Sequence, residues 1–140
     1  MGTVVSFKRV SDAQLAQIVA DPDQYWEVVD DDPDSAEPSG YLDKAWSGLS
    51  DLLMSSGTGI NLIADGELID GSEGLFYWPS ALVQRTAEKL RDTPFATLAA
   101  HYENAPAADE LDYLHEYYDV LMKFFGSAAT VGSAAVMSMG

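Results

Sequence analysis

The residues best suited to chemistry in this chain are its two histidines and some of its carboxylates. His115 has Asp112 three positions before it and Asp119 four positions after it. On a helix that spacing brings all three side chains to one face. A carboxylate–imidazole–carboxylate set could hold a divalent metal, or could act as a general base oriented by an acid. One helix rarely supplies a whole coordination sphere. The competing reading, a surface histidine in an acidic neighbourhood, is the stronger. His101 has only Glu103 near it and reads as a helix-end residue, where a cationic ring suits the dipole. Asp43, Lys44 and Trp46 form a second set, with two charges to hold a polar ligand and an indole to wall it. Against this, Asp43 also suits a helix N-terminus, Lys44 the surface and Trp46 the core. Tyr77 and Trp78 precede Pro79 at a strand-to-helix junction, where α/β folds often place ligands. An aromatic core edge explains them equally well.

Other chemistries lack their signatures. The acidic run containing Asp30, Asp31, Asp32, Asp34 and Glu37 has neither the alternating acids nor the central glycine of a calcium loop, and reads as a solvated loop. Ser47, Ser50, Ser55 and Ser56 lie in no nucleophile elbow. Gly57-Thr58-Gly59 lacks the lysine of a phosphate loop. The chain has no cysteine, which excludes disulfides, zinc–thiolate and iron–sulfur sites and cysteine nucleophiles. No catalytic residue is assigned, and no cofactor is expected.

Charge narrows the partners. Asp and Glu total 23 against seven Lys and Arg, for a formal net charge of −16. Such a surface repels phosphate backbones and anionic lipid, so neither nucleic acid nor membrane is expected. It attracts a basic protein or a cation, although acidity also serves solubility alone. No apolar run is long enough to span a bilayer. Met1–Val10 carries Lys8 and Arg9 after its apolar stretch, unlike a secretory signal. The expectation is a cytoplasmic protein of one domain over residues 1–140.

The elements that must position these residues can be placed by pattern. Gly2–Val10 is β-branched and reads as a strand. Ser11 caps a short helix over Asp12–Ala20 with Ala13, Leu15, Ala16, Ile18 and Val19 on its apolar side. Pro22 ends that helix or starts another. Tyr25, Trp26, Val28 and Val29 form an apolar cluster, and Asp30–Gly40 is a loop. Leu42, Ala45, Trp46, Leu49, Leu52 and Leu53 fall on one stripe and predict a helix over Leu42–Met54. Ile60–Ala64 reads as a buried strand, with Glu67–Ile69 returning after the Asp65-Gly66 turn. A helix follows Pro79 to about Asp92, with the proline in its first turn. A short helical segment runs from Pro94 to about Tyr102. A long helix covers about Ala108–Ala129, with Asp119 and Lys123 as an exposed pair. Gly132 closes it, and Ala134–Met139 is a final strand inside the sheet. The expected class is α/β (α+β), a small mixed sheet flanked by several helices, with the N- and C-terminal strands both in it.

Three stretches together resemble the YfbM-like family of uncharacterised bacterial proteins: the first strand running into Arg9-Val10-Ser11, the segment from Leu42 through Asp43, Lys44, Ala45, Trp46, Ser47 and Gly48 to Leu49 and on to Leu52-Leu53, and the Tyr- and Phe-bearing last helix (Tyr117, Tyr118, Leu121, Phe124, Phe125, Ala128, Ala129) followed by Gly132 and an apolar strand. The Asp-Lys-Ala-Trp segment is the distinctive one. The resemblance implies a mixed sheet flanked by helices in one domain, and it carries no activity. Members of the family often place histidine near the positions of Ser47 or Ser50, so a mechanism needing a base there does not transfer.

Two functions follow as expectations. The first is a small acidic non-enzymatic binding protein, for instance one that neutralises a basic protein partner such as a secreted toxin. The alternative is a ligand-binding or enzymatic domain using carboxylates with His115 or Asp43.

Overall fold

The computed structural model describes residues 4–31, 39–100 and 108–140. Strand β1 (Val5–Val10) leads to α1 (Asp12–Ala20), a 3-10 turn (Pro22–Gln24) and α2 (Tyr25–Asp30). Then come β2 (Gly40–Asp43), α3 (Trp46–Ser55), β3 (Glu67–Leu68), β4 (Leu75–Trp78), α4 (Ser80–Arg91), α5 (Phe95–Ala99), α6 (Ala108–Thr130) and β5 (Ala134–Met139). The sheet order is β2-β1-β5-β4-β3, and every neighbouring pair is antiparallel. The α/β class is as expected. The first strand sits second from one edge, and the last strand is at the centre.

Local chemistry explains most boundaries. Ser11 Oγ accepts from the Gln14 N–H at 3.1 Å, and Gln14 Oε1 accepts from the Ser11 N–H at 2.8 Å. This reciprocal capping box satisfies two otherwise orphaned donors. At the far end of α6, the Ser133 N–H bonds Ala128 O at 2.9 Å and the Gly132 N–H bonds Ala129 O at 3.1 Å. That is the Schellman pattern, and it hands the chain straight into β5. Pro79 is the residue before α4 rather than within its first turn, with an extended ψ of 156°.

Alternation along the strands divides the sheet into two faces. Val5, Phe7, Leu42, Trp78, Ala135 and Met137 point to the first. There they meet Leu49, Leu52 and Leu53 of α3, Val83 and Leu90 of α4, Leu98 of α5, and Tyr118, Leu121, Phe124 and Phe125 of α6. Phe7 is the hub of an aromatic group, with ring centroids 5.3 Å from Trp78, 5.7 Å from Phe124 and 5.1 Å from Phe125. Each such pair adds about 0.5–1.5 kcal/mol beyond area burial. The second face carries Val10, Ala134 and Val136, packed under Ile18 of α1 and Tyr25, Val28 and Val29 of α2.

Four expectations are corrected here. Leu42 belongs to β2, not to the helix that follows, which begins only at Trp46. Asp43 has a φ of 51°, and the Ala45 N–H bonds Leu42 O at 3.0 Å, so a turn separates the two elements. Ile60 and Leu62 are fully buried but form no strand. Asn61 Oδ1 accepts from the N–H groups of Ile63 (3.1 Å) and Ala64 (3.0 Å), while Asp65 Oδ2 accepts from the Asn61 N–H at 2.9 Å. These side-chain bonds take the place of a ladder. Trp26 leaves the apolar cluster of its neighbours and is 57% exposed. The segment after Pro94 ends as helix at Ala99. His101, Glu103, Tyr102 and most of the acidic loop (Asp32, Asp34 and Glu37 included) lie outside the described residues.

Candidate functional site

Helices α1 and α2 cover only part of the second sheet face. Antiparallel register aligns residues in rows across it: Val10 with Ala134, then Lys8 with Val136 and Tyr77, then Tyr41 with Ser6, Ser138 and Leu75. The first row lies under α1 and α2. The Tyr41–Ser6–Ser138 row is the floor of a groove of about 730 Å³. Pro22, Asp23, Trp26 and the Gly71–Gly74 loop supply its walls.

Each wall is held by local bonds. Asp21 Oδ1 accepts from the Asp23 N–H at 3.3 Å, and Gln24 Nε2 donates to Asp21 Oδ2 at 3.1 Å, fixing the turn that leads into α2. Tyr25, Val28 and Val29 take the buried face of α2, so Trp26, one residue from Tyr25, is turned toward solvent. Its ring meets Tyr25 edge-on at 4.8 Å. In the Gly71–Gly74 loop, Ser72 Oγ donates to Ile69 O at 2.6 Å and accepts from the Leu75 N–H at 3.4 Å. Gly74 O accepts from the Met139 N–H at 2.8 Å. At Gly74, φ is 91° and a Cβ would collide with the Met139 carbonyl, so only glycine fits this closure.

The groove mixes charge, hydroxyls and aromatic surface. Lys8 is the one cation among its described lining residues, against Asp23 and Glu73. The Ser138 hydroxyl reaches Ser6 O at 3.5 Å, a weak bond, and also faces the Tyr25 phenol. Tyr25 lies behind Ser138, fully buried, with its phenol oxygen facing the Ser138 hydroxyl. Burial pushes that phenol well above its ordinary range; the neighbouring Ser138 hydroxyl moderates the effect and Asp30 adds to it. Tyr41 is 44% exposed, so two partly bare aromatic rings line the groove together with the serine hydroxyls.

The residues singled out from sequence lie elsewhere. Asp43 stands at the end of β2, Lys44 is exposed, and half-buried Trp46 packs against the core from the start of α3. The N-cap of α3 is Ala45, with no side-chain cap, so Asp43 does not cap it. Tyr113 and Tyr117 of α6 lie 5.1 Å apart, and both phenols are raised, first by partial burial and then by the charge of Asp43. The fold thus joins Asp43 to two tyrosines. Tyr77 and Trp78 are not brought together: Trp78 is sealed in the first-face core, whereas Tyr77 packs on the second face and donates a short hydrogen bond to Glu67.

His115 Nε2 and Asp119 Oδ1 are 3.8 Å apart, so Asp119 turns to the histidine rather than to Lys123. The imidazole stacks flat on Phe95, with centroids 4.5 Å apart and planes at 2°. Asp112 is exposed, and among the described residues no three His, Asp or Glu side chains gather to hold a metal.

None of the groove's key residues was singled out by sequence reasoning. Trp26 carried a usable signal, because Tyr25, Val28 and Val29 are spaced i, i+3, i+4 and Trp26 falls off that stripe. Ser6 and Ser138 carried none, since they meet only through strand pairing across most of the chain.

No helix among the described residues is long and apolar enough to cross a membrane. No curated protein matches the chain. The structure is similar to the crystal structure of a protein of unknown function, YfbM from Escherichia coli, with a TM-score of 0.67 at 13% identity, over 98% of this chain and 99% of that one. At that identity the likeness speaks for the fold. A match to the family profile over residues 1–138 carries the assignment: the chain belongs to DUF1877, a family described as a domain of unknown function.

Proposed function

We propose that this chain is a non-enzymatic binding protein that receives a segment of a basic protein partner in the groove on its second sheet face. The observation that carries the reading is the pair of exposed rings, Trp26 and Tyr41, lining one groove with Ser6 and Ser138, in a chain of net charge −16. Exposed aromatics at a concave polar site are typical binding anchors. Long-range attraction speeds the encounter with a cationic partner, and the rings and hydroxyls set the register. The alternative, an activity built on His115 or Asp43, draws no support from the groove, because both belong to elements at or packed on the other sheet face. A bacterial cytoplasm suits a chain without cysteine and with a fold shared with an Escherichia coli protein.

The test is amide chemical-shift mapping while a synthetic Lys- and Arg-rich peptide is titrated at low salt. The expected result is saturable shifts concentrated on β1, β5, α2 and the 71–74 loop, lost in high salt and in Trp26→Ala. Shifts spread evenly over the acidic surface, or none at all, would overturn the reading.

A further inference from the structure

Two Asp-Gly steps occur in the chain, Asp65-Gly66 and Asp70-Gly71. In sequence they are equivalent. An aspartyl carboxyl ahead of glycine is the pair most open to attack by the main chain on its own side chain, because glycine has no Cβ to obstruct the approach. The fold makes the two steps different. At the first, Asp65 Oδ2 accepts from the Asn61 N–H at 2.9 Å, and the Asp65 N–H bonds Asn61 O at 3.0 Å. Gly66 is buried, and a Cβ on it would collide with the Trp78 indole. At the second, Asp70 and Gly71 are both exposed. Among the described residues, no hydrogen bond holds the Asp70 carboxylate or the Gly71 N–H. A Cβ on Gly71 would meet nothing within 4 Å. We propose that Asp70-Gly71 is a modification site, at which the folded chain converts aspartate to isoaspartate, and that the fold protects Asp65-Gly66 from the same reaction.

The reaction needs only water. The Gly71 amide nitrogen attacks Cγ of Asp70. A C–N bond forms, a C–O bond breaks, and the carboxyl hydroxyl leaves with the amide proton as water. Water then adds to the resulting cyclic imide. Opening at Cγ restores aspartate. Opening at the main-chain carbonyl leaves the chain running through the side chain, with the carboxylate on Cα and the composition unchanged. At Asp65 the attack must first break a charge-assisted hydrogen bond. Its ring would also have to close against Trp78, which is pinned by Phe7 and Phe125. At Asp70 only a surface turn has to open, and such turns belong to the least stable part of a fold. That turn is closed by the Ser72 N–H on Ile69 O at 3.0 Å. Isoaspartate adds a main-chain atom inside the span this bond closes. Ser72 and Gly74 line the groove, so the modification reshapes its wall. The inference stands apart from the binding reading above.

The test ages the full chain at neutral pH and physiological temperature, both folded and in urea. Isoaspartate is followed by methyl transfer from labelled S-adenosylmethionine, using an isoaspartyl O-methyltransferase as reagent, and electron-transfer fragmentation of the peptides assigns its position. In the folded chain, isoaspartate should form at Asp70 about tenfold or more faster than at Asp65, since freeing Asp65 breaks a charged hydrogen bond. In urea the two rates should converge. Asp70→Glu keeps the charge but closes its imide far less readily, so it should remove the folded-chain label and leave the label at Asp65 in urea. Equal rates at both steps in the folded chain would overturn the inference. So would a folded chain that stays unlabelled, whether or not the chain in urea is labelled.

Discussion

Gly66 lies directly against the indole of Trp78. A Cβ built on that glycine would stand 2.6 Å from Trp78 Cδ1 and closer still to Nε1. Trp78 cannot retreat, because its ring is already packed on Phe7 at 5.3 Å and Phe125 at 5.4 Å. Gly66→Ala should therefore destabilise the fold by about 1–3 kcal/mol, the usual cost of overpacking a filled core. Urea unfolding gives the measurement, and the midpoint should fall with little change in slope. An unchanged midpoint would mean that the turn before β3 moves freely off the tryptophan.

A second prediction concerns alkaline pH. Tyr118 Oη donates to Thr93 O at 2.5 Å, tying α6 to the turn between α4 and α5. Burial, then the charge of Asp119, pushes its phenol up to about 12, from an ordinary value of about 10. The unfolded chain releases this proton near pH 10 and the folded chain holds it to about 12. Its contribution is complete below pH 10 and is lost as pH rises through 12. Tyr118→Phe should cost about 1 kcal/mol at neutral pH by removing the donor to the part-buried Thr93 carbonyl, and should flatten the fall in stability between pH 10 and 12. Thermal melts of both chains across that range provide the check. Equal alkaline slopes would assign the effect to other tyrosines.

Asn61 supplies a third. Its Oδ1 accepts from two backbone N–H groups, and the Asp65 carboxylate accepts from its own. Asn61→Ala leaves the donors of Ile63 and Ala64 without that acceptor and should cost about 1–2 kcal/mol. The cost should appear as faster amide hydrogen exchange between Ile60 and Asp65, ahead of any change in β1 or β5. Exchange that speeds equally everywhere would show that this turn has no local stability of its own.

The same turn shows where sequence patterns stop being informative. Ile60 and Leu62 alternate with polar Asn61 as a buried strand would, and both are buried. Nothing in that alternation reveals that the Asn61 side chain occupies the local donors. Leu42 misleads in a similar way, since a residue just ahead of a helix continues its stripe whenever both elements face one core. Signals that complete themselves within a few residues were legible: the Ser11 cap, the boundaries of α1, the aromatic face of α6 and the glycine that ends it. The groove was not, because its floor is set by register. Ser6 lies opposite Ser138, and Tyr41 beside Ser6, only once the strands pair.

Asp43 offers the last test, because two explanations of its identity make opposite predictions. Its φ of 51° is left-handed, a conformation that costs most L-residues about 1–2 kcal/mol and aspartate less. If the backbone angle dictates the residue, Asp43→Gly should leave stability unchanged or slightly raised, and Asp43→Val should lower it by about 1–2 kcal/mol. The phenols of Tyr113 and Tyr117 report independently, since the Asp43 carboxylate helps to hold both above their usual range. In Asp43→Gly they should titrate at lower pH, a shift readable by ultraviolet absorbance, while the unfolding midpoint stays put. A glycine variant as unstable as the valine one would show instead that the carboxylate itself holds the end of β2 against α6, and that the backbone angle is its consequence.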